Sequence, residues 1–212
     1  MATAIFNIVR RPLEGQSKKL LESAIGIMTG HGMNGNVTSS LTSFDPTAGI
    51  HVTSTLNFQS LSGLEELQDS FYSNEEMQDA WDETALLCKS VSTTVLEVVV
   101  PPENVPDNPK YMLRTIATAK RGKREELIDL ALSMRDRSNS NKAGILKPMN
   151  SFQRIRLTRV YGSLEDLSAA INVSNAEYGS TLEKFIALTD SVTRSVSRIP
   201  VSYTHLTLPT KA

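Results

Sequence analysis

Ser73-Asn74-Glu75-Glu76-Met77, followed by Trp81, Ala85, Leu87, Val91 and Val95, returns as Ser174-Asn175-Ala176-Glu177-Tyr178, followed by Leu182, Ile186, Leu188, Val192 and Val196. The separation is 101 residues at every matched position, from Ser73 and Ser174 onward. Self-similarity at a fixed period marks a duplicated structural unit, and it has to be settled before single elements are assigned. In a chain of 212 residues the repeat selects two units of about a hundred residues each. Units of that size sit near the low end of independent stability, so each is expected to bury a face against the other.

Upstream of the repeated segment, Ala4-Ile5-Phe6-Asn7-Ile8-Val9 is a β-rich run closed by Pro12 and Gly15. Leu20, Leu21, Ala24, Ile25 and Met28 then recur at helical spacing until Gly30 and Gly32 stop the pattern. Residues 37–44 read as a weak strand ended by Asp45-Pro46. Ile50, Val52, Ser54, Leu56 and Phe58 alternate with His51, Thr53, Thr55 and Asn57, the period of a half-buried strand. A short helix carries Leu64, Leu67 and Phe71, and Ser73 with Glu76 has the spacing of a capping box that opens a longer helix. Residues 94–100 form a branched apolar strand that Pro101-Pro102 ends.

Unit two repeats the order. Its strands fall at 111–117, 143–149 and 155–161, with a last one from Val196, and its first helix carries Leu127, Ile128, Ala131 and Leu132. Leu164 and Leu167 open the short helix, and Ser174 with Glu177 repeats the box. The expected boundaries are residues 1–100 for unit one, 101–109 for a stiff proline-rich connector, 110–200 for unit two and 201–212 for a tail. Each βαββαβ unit is expected to form a ferredoxin-like sheet with two helices on one face. The bare face needs a cover, and the second copy supplies it. The fold class is therefore α+β, two tandem units closing an intramolecular barrel.

This element order, length and internal repeat resemble the dimeric α/β-barrel superfamily in tandem form, which includes antibiotic-biosynthesis-monooxygenase-like and NIPSNAP-type domains. The resemblance covers roughly residues 3–199. It implies a ligand between the sheet and the helices of each unit, with the two sheets closing the barrel. The heme-degrading branch has an Asn, Trp, His arrangement, and here Asn7 stands on the first strand and Trp81 on the long helix. Residues 73–92 contain no histidine, and unit two has Arg114 and Leu182 at the corresponding places. No cofactor and no metal are expected.

Val201-Ser202-Tyr203-Thr204-His205-Leu206 resembles the translation of a transposase-adapter end used in sequencing libraries, and Thr-Leu-Pro-Thr-Lys-Ala its continuation. Residues 201–212 are accordingly left out of fold reasoning.

Net charge is −1, but residues 1–100 hold 5 Lys/Arg against 12 Asp/Glu while residues 101–212 hold 17 against 11. Halves of opposite sign can attract across an internal interface. No apolar run approaches the ~20 residues of a membrane-spanning helix. A single cysteine, Cys88, fits a reducing cytoplasm and reads as a small core hydrophobe on a helical face. Lys120-Arg121-Gly122-Lys123-Arg124 has no aromatic interleaving and reads as a solvated turn, so neither nucleic acid nor membrane is an expected partner. The partners expected are a small apolar ligand and, beyond the internal pseudo-dimer, a further copy of the chain.

Candidate ligand-binding residues are Asn7, His31, Tyr72 and Trp81. His31 lies between Gly30 and Gly32, where it reads as a base near a ligand or as an exposed cation at a helix C-terminus. Trp81 reads first as a core residue on an apolar helical face and second as part of a ligand site. Arg154 and Arg156 share one strand face and Arg159 takes the other, giving a cationic seam that is expected to pair with unit one's acids, with carboxylate binding as the alternative. The functional expectation is a small-molecule-binding or stress-associated barrel without an evident catalytic constellation. The alternative is a cofactor-independent monooxygenase or isomerase acting on a small apolar or aromatic substrate.

Overall fold

The computed structural model describes residues 2–42, 49–137, 141–177 and 179–203. Unit one comprises β1 (Ala4–Pro12), α1 (Ser17–Gly30), β2 (Gly35–Ser40), β3 (Val52–Phe58), α2 (Leu61–Ser73), α3 (Glu75–Ala85) and β4 (Cys88–Val100). Unit two comprises β5 (Tyr111–Ala119), α4 (Arg124–Asp136), β6 (Gly144–Pro148), β7 (Arg154–Tyr161), α5 (Leu164–Glu177), α6 (Gly179–Ala187) and β8 (Thr189–Tyr203). All strand pairs are antiparallel, and the strands close in the order β1-β3-β2-β8-β5-β7-β6-β4. Each unit keeps the ferredoxin-like order, β4-β1-β3-β2 and β8-β5-β7-β6. The edge strands of one unit pair with those of the other, β2 with β8 and β4 with β6. Closure removes every free sheet edge.

Strand alternation then creates two interiors. Positions facing outward meet the helices and make the apolar cores: Ile8, Leu20, Ala24, Met28, Val37, Val52 and Leu56 in unit one, with Ala117, Leu127, Ala131, Ile145, Ile155 and Phe185 in unit two. Positions of the other parity face the barrel lumen. On β3 both sets are buried, Val52, Ser54 and Leu56 toward helices and Thr53 and Thr55 toward the lumen. The half-polar pattern of that strand therefore does not mark a wet face.

The repeat offset is not constant. Asn7 pairs with Thr55 and Thr94, and Arg114 pairs with Thr158 and Ser195. The structural offsets are 107 for the first strand, 103 for the third and 101 for the fourth, so loops after the first strand differ in length between the copies.

Three helix boundaries depart from the sequence reading. The long helix does not reach Val91: β4 begins at Cys88 and runs 13 residues. Val91 and Val95 are four apart, which satisfies a helix but also one face of a strand. The helix expected to be longer, α3, has 11 residues against 13 in α2. The cap of α3 is Asn74, whose Oδ1 accepts from the Met77 backbone N–H at 3.0 Å, while the Ser73 hydroxyl donates back to the Asp69 and Ser70 carbonyls of α2. In unit two α5 continues to Glu177, so Ser174 lies within a helix; the side chains of 173–177 and residue 178 lie outside the described residues. Asn74→Ala is expected to cost about 1 kcal/mol in urea unfolding, and Ser73→Ala a few tenths at most.

The opposite charges of the halves meet at one seam. Lys147 on β6 reaches Glu97 on β4 at 3.2 Å. The connector is tied to unit two: Glu103 pairs with Arg135 at 2.7 Å and with Lys142 at 3.4 Å, and its backbone exchanges hydrogen bonds with Lys142. β8 continues past Ile199 and pairs Val201, Ser202 and Tyr203 with β2, so its backbone extends three residues into the segment assigned to the tail. His205 and residues 43–48, including Phe44 and Asp45-Pro46, lie outside the described residues.

Candidate functional site

Between the unit-one sheet and its helices lies a cavity of about 240 Å³. β1 presents Phe6, Ile8 and Arg10 to it, and β3 presents Ser54 and Leu56. Met28 and Met33 close one side, and Phe71, Tyr72 and Trp81 line it from α2 and α3. The three aromatic rings form a continuous edge-to-face run. Phe71 and Trp81 lie 5.7 Å apart at 73°, and Phe71 and Tyr72 5.7 Å apart at 76°. Tyr72 is mostly exposed, so the run leads from the mouth inward.

The polar end of this cavity is Arg10. Its side chain is 2% exposed, its Nη1 donates to Ser54 Oγ at 2.9 Å, and its guanidinium carbon sits 5.2 Å from the centroid of Trp81. It has no carboxylate partner among the described residues. Burial lowers its pKa to about 10, against a smaller opposing effect of the nearby Cys88 thiol, so it stays cationic at neutral pH. Burial raises the Cys88 thiol in turn, which makes it a poor nucleophile. Cys88 packs partly buried against the unit-one core from the first residue of β4, not from a helix.

The sequence candidates separate. Tyr72 and Trp81 meet in this cavity. Asn7 falls between Phe6 and Ile8 and so faces the lumen, buried, with its Oδ1 lacking a partner. His31 is the C-cap of α1, donating its backbone N–H to Ile27, and lies outside the cavity wall. Arg10, Ser54, Phe71 and Met33 are added by the structure. Arg10 had a signal in the sequence, since it shares strand parity with Phe6 and Ile8.

Unit two has a counterpart of about 100 Å³, with Leu182 and Phe185 on its wall. The position equivalent to Arg10 is Ala117, packed in the core. Arg135 lines this smaller cavity but is held by Glu103 and by the Ala143 and Pro101 carbonyls. Arg159 and Arg194 also line it but are half-buried and exposed, so among the described residues it is unit one that combines the larger space with a buried cation lacking a carboxylate partner.

His51 is buried at the mouth of the lumen, with its backbone N–H on Ser40 Oγ. Burial, then Arg114, then Arg11 lower its pKa below the usual 6.5. The neutral ring is the folded form, so the unfolded chain binds more protons in acid. Stability from this group is complete above about pH 6.5 and is lost as pH falls below it. His51→Gln is expected to flatten the acid limb of a stability-against-pH curve, read from urea midpoints between pH 7 and 5.

No family model and no curated protein matches the sequence. Solved structures do match along nearly the whole chain. An anthrone oxidase-like protein aligns with a TM-score of 0.68 at 13% identity, covering 94% of this chain and 92% of that one. A provisionally named monooxygenase of Fusobacterium nucleatum subsp. nucleatum aligns at 0.65 and 10% identity, covering 93% of each chain. Another, from Lactobacillus acidophilus, aligns at 0.63 and 16% identity, again covering 93% of each. At these identities the fold alone is what is shared, a closed α/β barrel.

Proposed function

We propose that the chain binds a small flat apolar molecule bearing one acidic or hydrogen-bond-accepting oxygen, in the unit-one cavity, with that oxygen directed at Arg10. The buried, carboxylate-free Arg10 at the end of an aromatic-lined space carries this reading. Removing a guanidinium from water without an anionic partner is costly, and a ligand oxygen would supply the partner. A dry cavity of about 150 Å³ accommodates benzene, so the space here suits a two-ring compound.

The test uses naphthalen-2-ol against naphthalene. The hydroxylated compound is expected to bind about tenfold or more tightly, as a charge-assisted hydrogen bond is worth about 1.5–3 kcal/mol. Trp81, the single tryptophan, reports occupancy by its fluorescence. Equal affinity for both compounds, or no saturable quenching, would overturn the reading.

Cofactor-independent monooxygenation is a second reading, and Arg10 favours it as well. A cation beside the ligand oxygen stabilises an enolate or phenolate, the form that reacts with dioxygen. No His, Asp or Glu lines the cavity, so the proton would leave to water. With naphthalen-1-ol as substrate, the ring carbon para to the hydroxyl becomes a carbonyl and the product is 1,4-naphthoquinone, one oxygen atom of dioxygen entering the product and the other leaving as water. Oxygen uptake above the uncatalysed rate supports this reading, and uptake at the background rate removes it.

A further inference from the structure

The lumen holds two buried arginines that the unit-one cavity does not use. Arg114 on β5 is 4% exposed and Arg156 on β7 is 6% exposed. Arg114 pairs across the ladder with Thr158, two residues from Arg156, so the two arginines are diagonal neighbours on one sheet face, about 7–8 Å apart at Cα. Arg114 donates across the barrel to Thr55 Oγ1 at 3.3 Å, which fixes its direction into the lumen. Arg156 makes no side-chain hydrogen bond or ion pair among the described residues, and both Nε atoms are buried without an acceptor.

The expected pairing with unit one's acids does not occur. No Asp or Glu is among the buried described residues, and no lumen-facing strand position carries one. Two positive charges therefore share an enclosed space with no compensating negative group. Burial pushes the Arg156 pKa well down, and the Arg114 charge adds to that effect. Arginine hardly ever relieves such strain by losing its proton at neutral pH. Around the pair stand small hydroxyl side chains, Thr53, Thr158, Ser195 and Ser197, whose oxygens have no hydrogen-bond partner. An eight-stranded barrel is just wide enough for its side chains or for one small ligand. The side chains around the pair are short, whereas Met112, Val160 and Ile199 pack together elsewhere in the lumen.

We propose that the lumen is a binding site for one compact oxyanion, a carboxylate or an inorganic phosphate-type group, held between the Arg114 and Arg156 guanidiniums. Guanidinium forks match the paired oxygens of such ions, and the lumen hydroxyls are free to donate to the remaining ones. The pseudo-two-fold equivalents of the two arginines are Asn7 and Thr53, so unit one contributes a neutral wall. That asymmetry fits one anion rather than two. It also gives Asn7 a place: its side-chain amide faces the lumen from the opposite wall.

The experiment is thermal unfolding of the full chain, refolded from urea to strip any retained ion. Inorganic phosphate, acetate and chloride are compared at equal ionic strength, on wild type, Arg156→Met and Arg10→Met. A bound ion stabilises the folded state in proportion to the logarithm of its concentration over Kd. Wild type and Arg10→Met are expected to gain several degrees in 20 mM phosphate or acetate over chloride, and Arg156→Met to gain none. The larger of the two shifts identifies the source chemistry. Equal shifts in all three proteins would reflect general salt exclusion and overturn the proposal, as would no shift in wild type. A shift lost in Arg10→Met but kept in Arg156→Met would place the ion in the other cavity, also overturning it. If Arg156→Met does not fold, calorimetric titration of wild type and Arg10→Met with phosphate and acetate decides: one site per chain in both proteins supports the lumen site, and no saturable heat in either removes it.

Discussion

Gly35→Ala is expected to destabilise the chain by about 3 kcal/mol or more, with an unchanged urea m-value. A Cβ at this position would stand 1.8 Å from the Thr55 carbonyl oxygen and 2.9 Å from its carbon, with the Leu56 Cα at 3.1 Å. All three are backbone atoms, so no side chain can turn away to make room. Gly35 sits where β2 passes against β3, and β2 also forms one of the two joints between units through β8. Relief of the collision therefore means displacing β3 or opening the joint. Either movement shifts Thr55, which pairs with Asn7 and accepts from Arg114. The control is Gly26→Ala in the middle of α1, where nothing lies within 4 Å of the added carbon. That substitution should stabilise by about 0.5–1 kcal/mol, the ordinary helix preference for alanine. A Gly35→Ala protein within 1 kcal/mol of wild type would mean the β2–β3 approach is looser than described.

How far the sequence reveals this molecule depends on which interaction sets each feature. The element order was legible because alternation and helical spacing are local, and because the second copy repeats the first. The start of β4 was not. Leu87, Val91 and Val95 fit a helical face, and the intervening Lys89, Ser90 and Ser92 are exposed strand positions that look no different from a helix's wet side. Only pairing with β1 from Arg10 to Pro12 distinguishes the two. The α3 cap was displaced by one residue because Ser73 satisfies carbonyls of the preceding helix, a competition that spacing does not reveal.

The site was legible in part for the same reason. Aromatic residues on helices, Tyr72 and Trp81, could be picked by type. Arg10 and Asn7 required parity: on β1 the even positions meet the helices and the odd positions meet the lumen. Likewise Arg154 and Arg156 were placed on one face correctly, but their partners could not be. Unit one's described acids sit on helix surfaces, in the turn before α1 and at the outer side of β4, so the seam charge is met at Glu97 and Lys147 while Arg156 is left alone. Summed charge over a half says nothing about which side of a strand carries it.

Arg10→Met should separate ligand recognition from folding. Affinity for naphthalen-2-ol is expected to fall about ten- to a hundredfold, the loss of one charge-assisted hydrogen bond. Affinity for naphthalene should stay within about threefold, because methionine keeps the wall apolar and nearly fills the space. Stability is expected to change little. Burial holds Arg10 at a pKa of about 10 rather than 12.5, a penalty of about 3 kcal/mol on its charged form. Replacing it removes that penalty, and with it the Ser54 hydrogen bond and the contact over Trp81, which together are worth a similar amount. The two contributions offset, so urea midpoints should agree within about 1 kcal/mol while binding diverges. If both affinities fell together, Arg10 would be shaping the cavity rather than meeting a ligand oxygen. If neither fell, the buried cation would have its partner elsewhere, and the unit-one cavity would be an apolar space without polar selectivity.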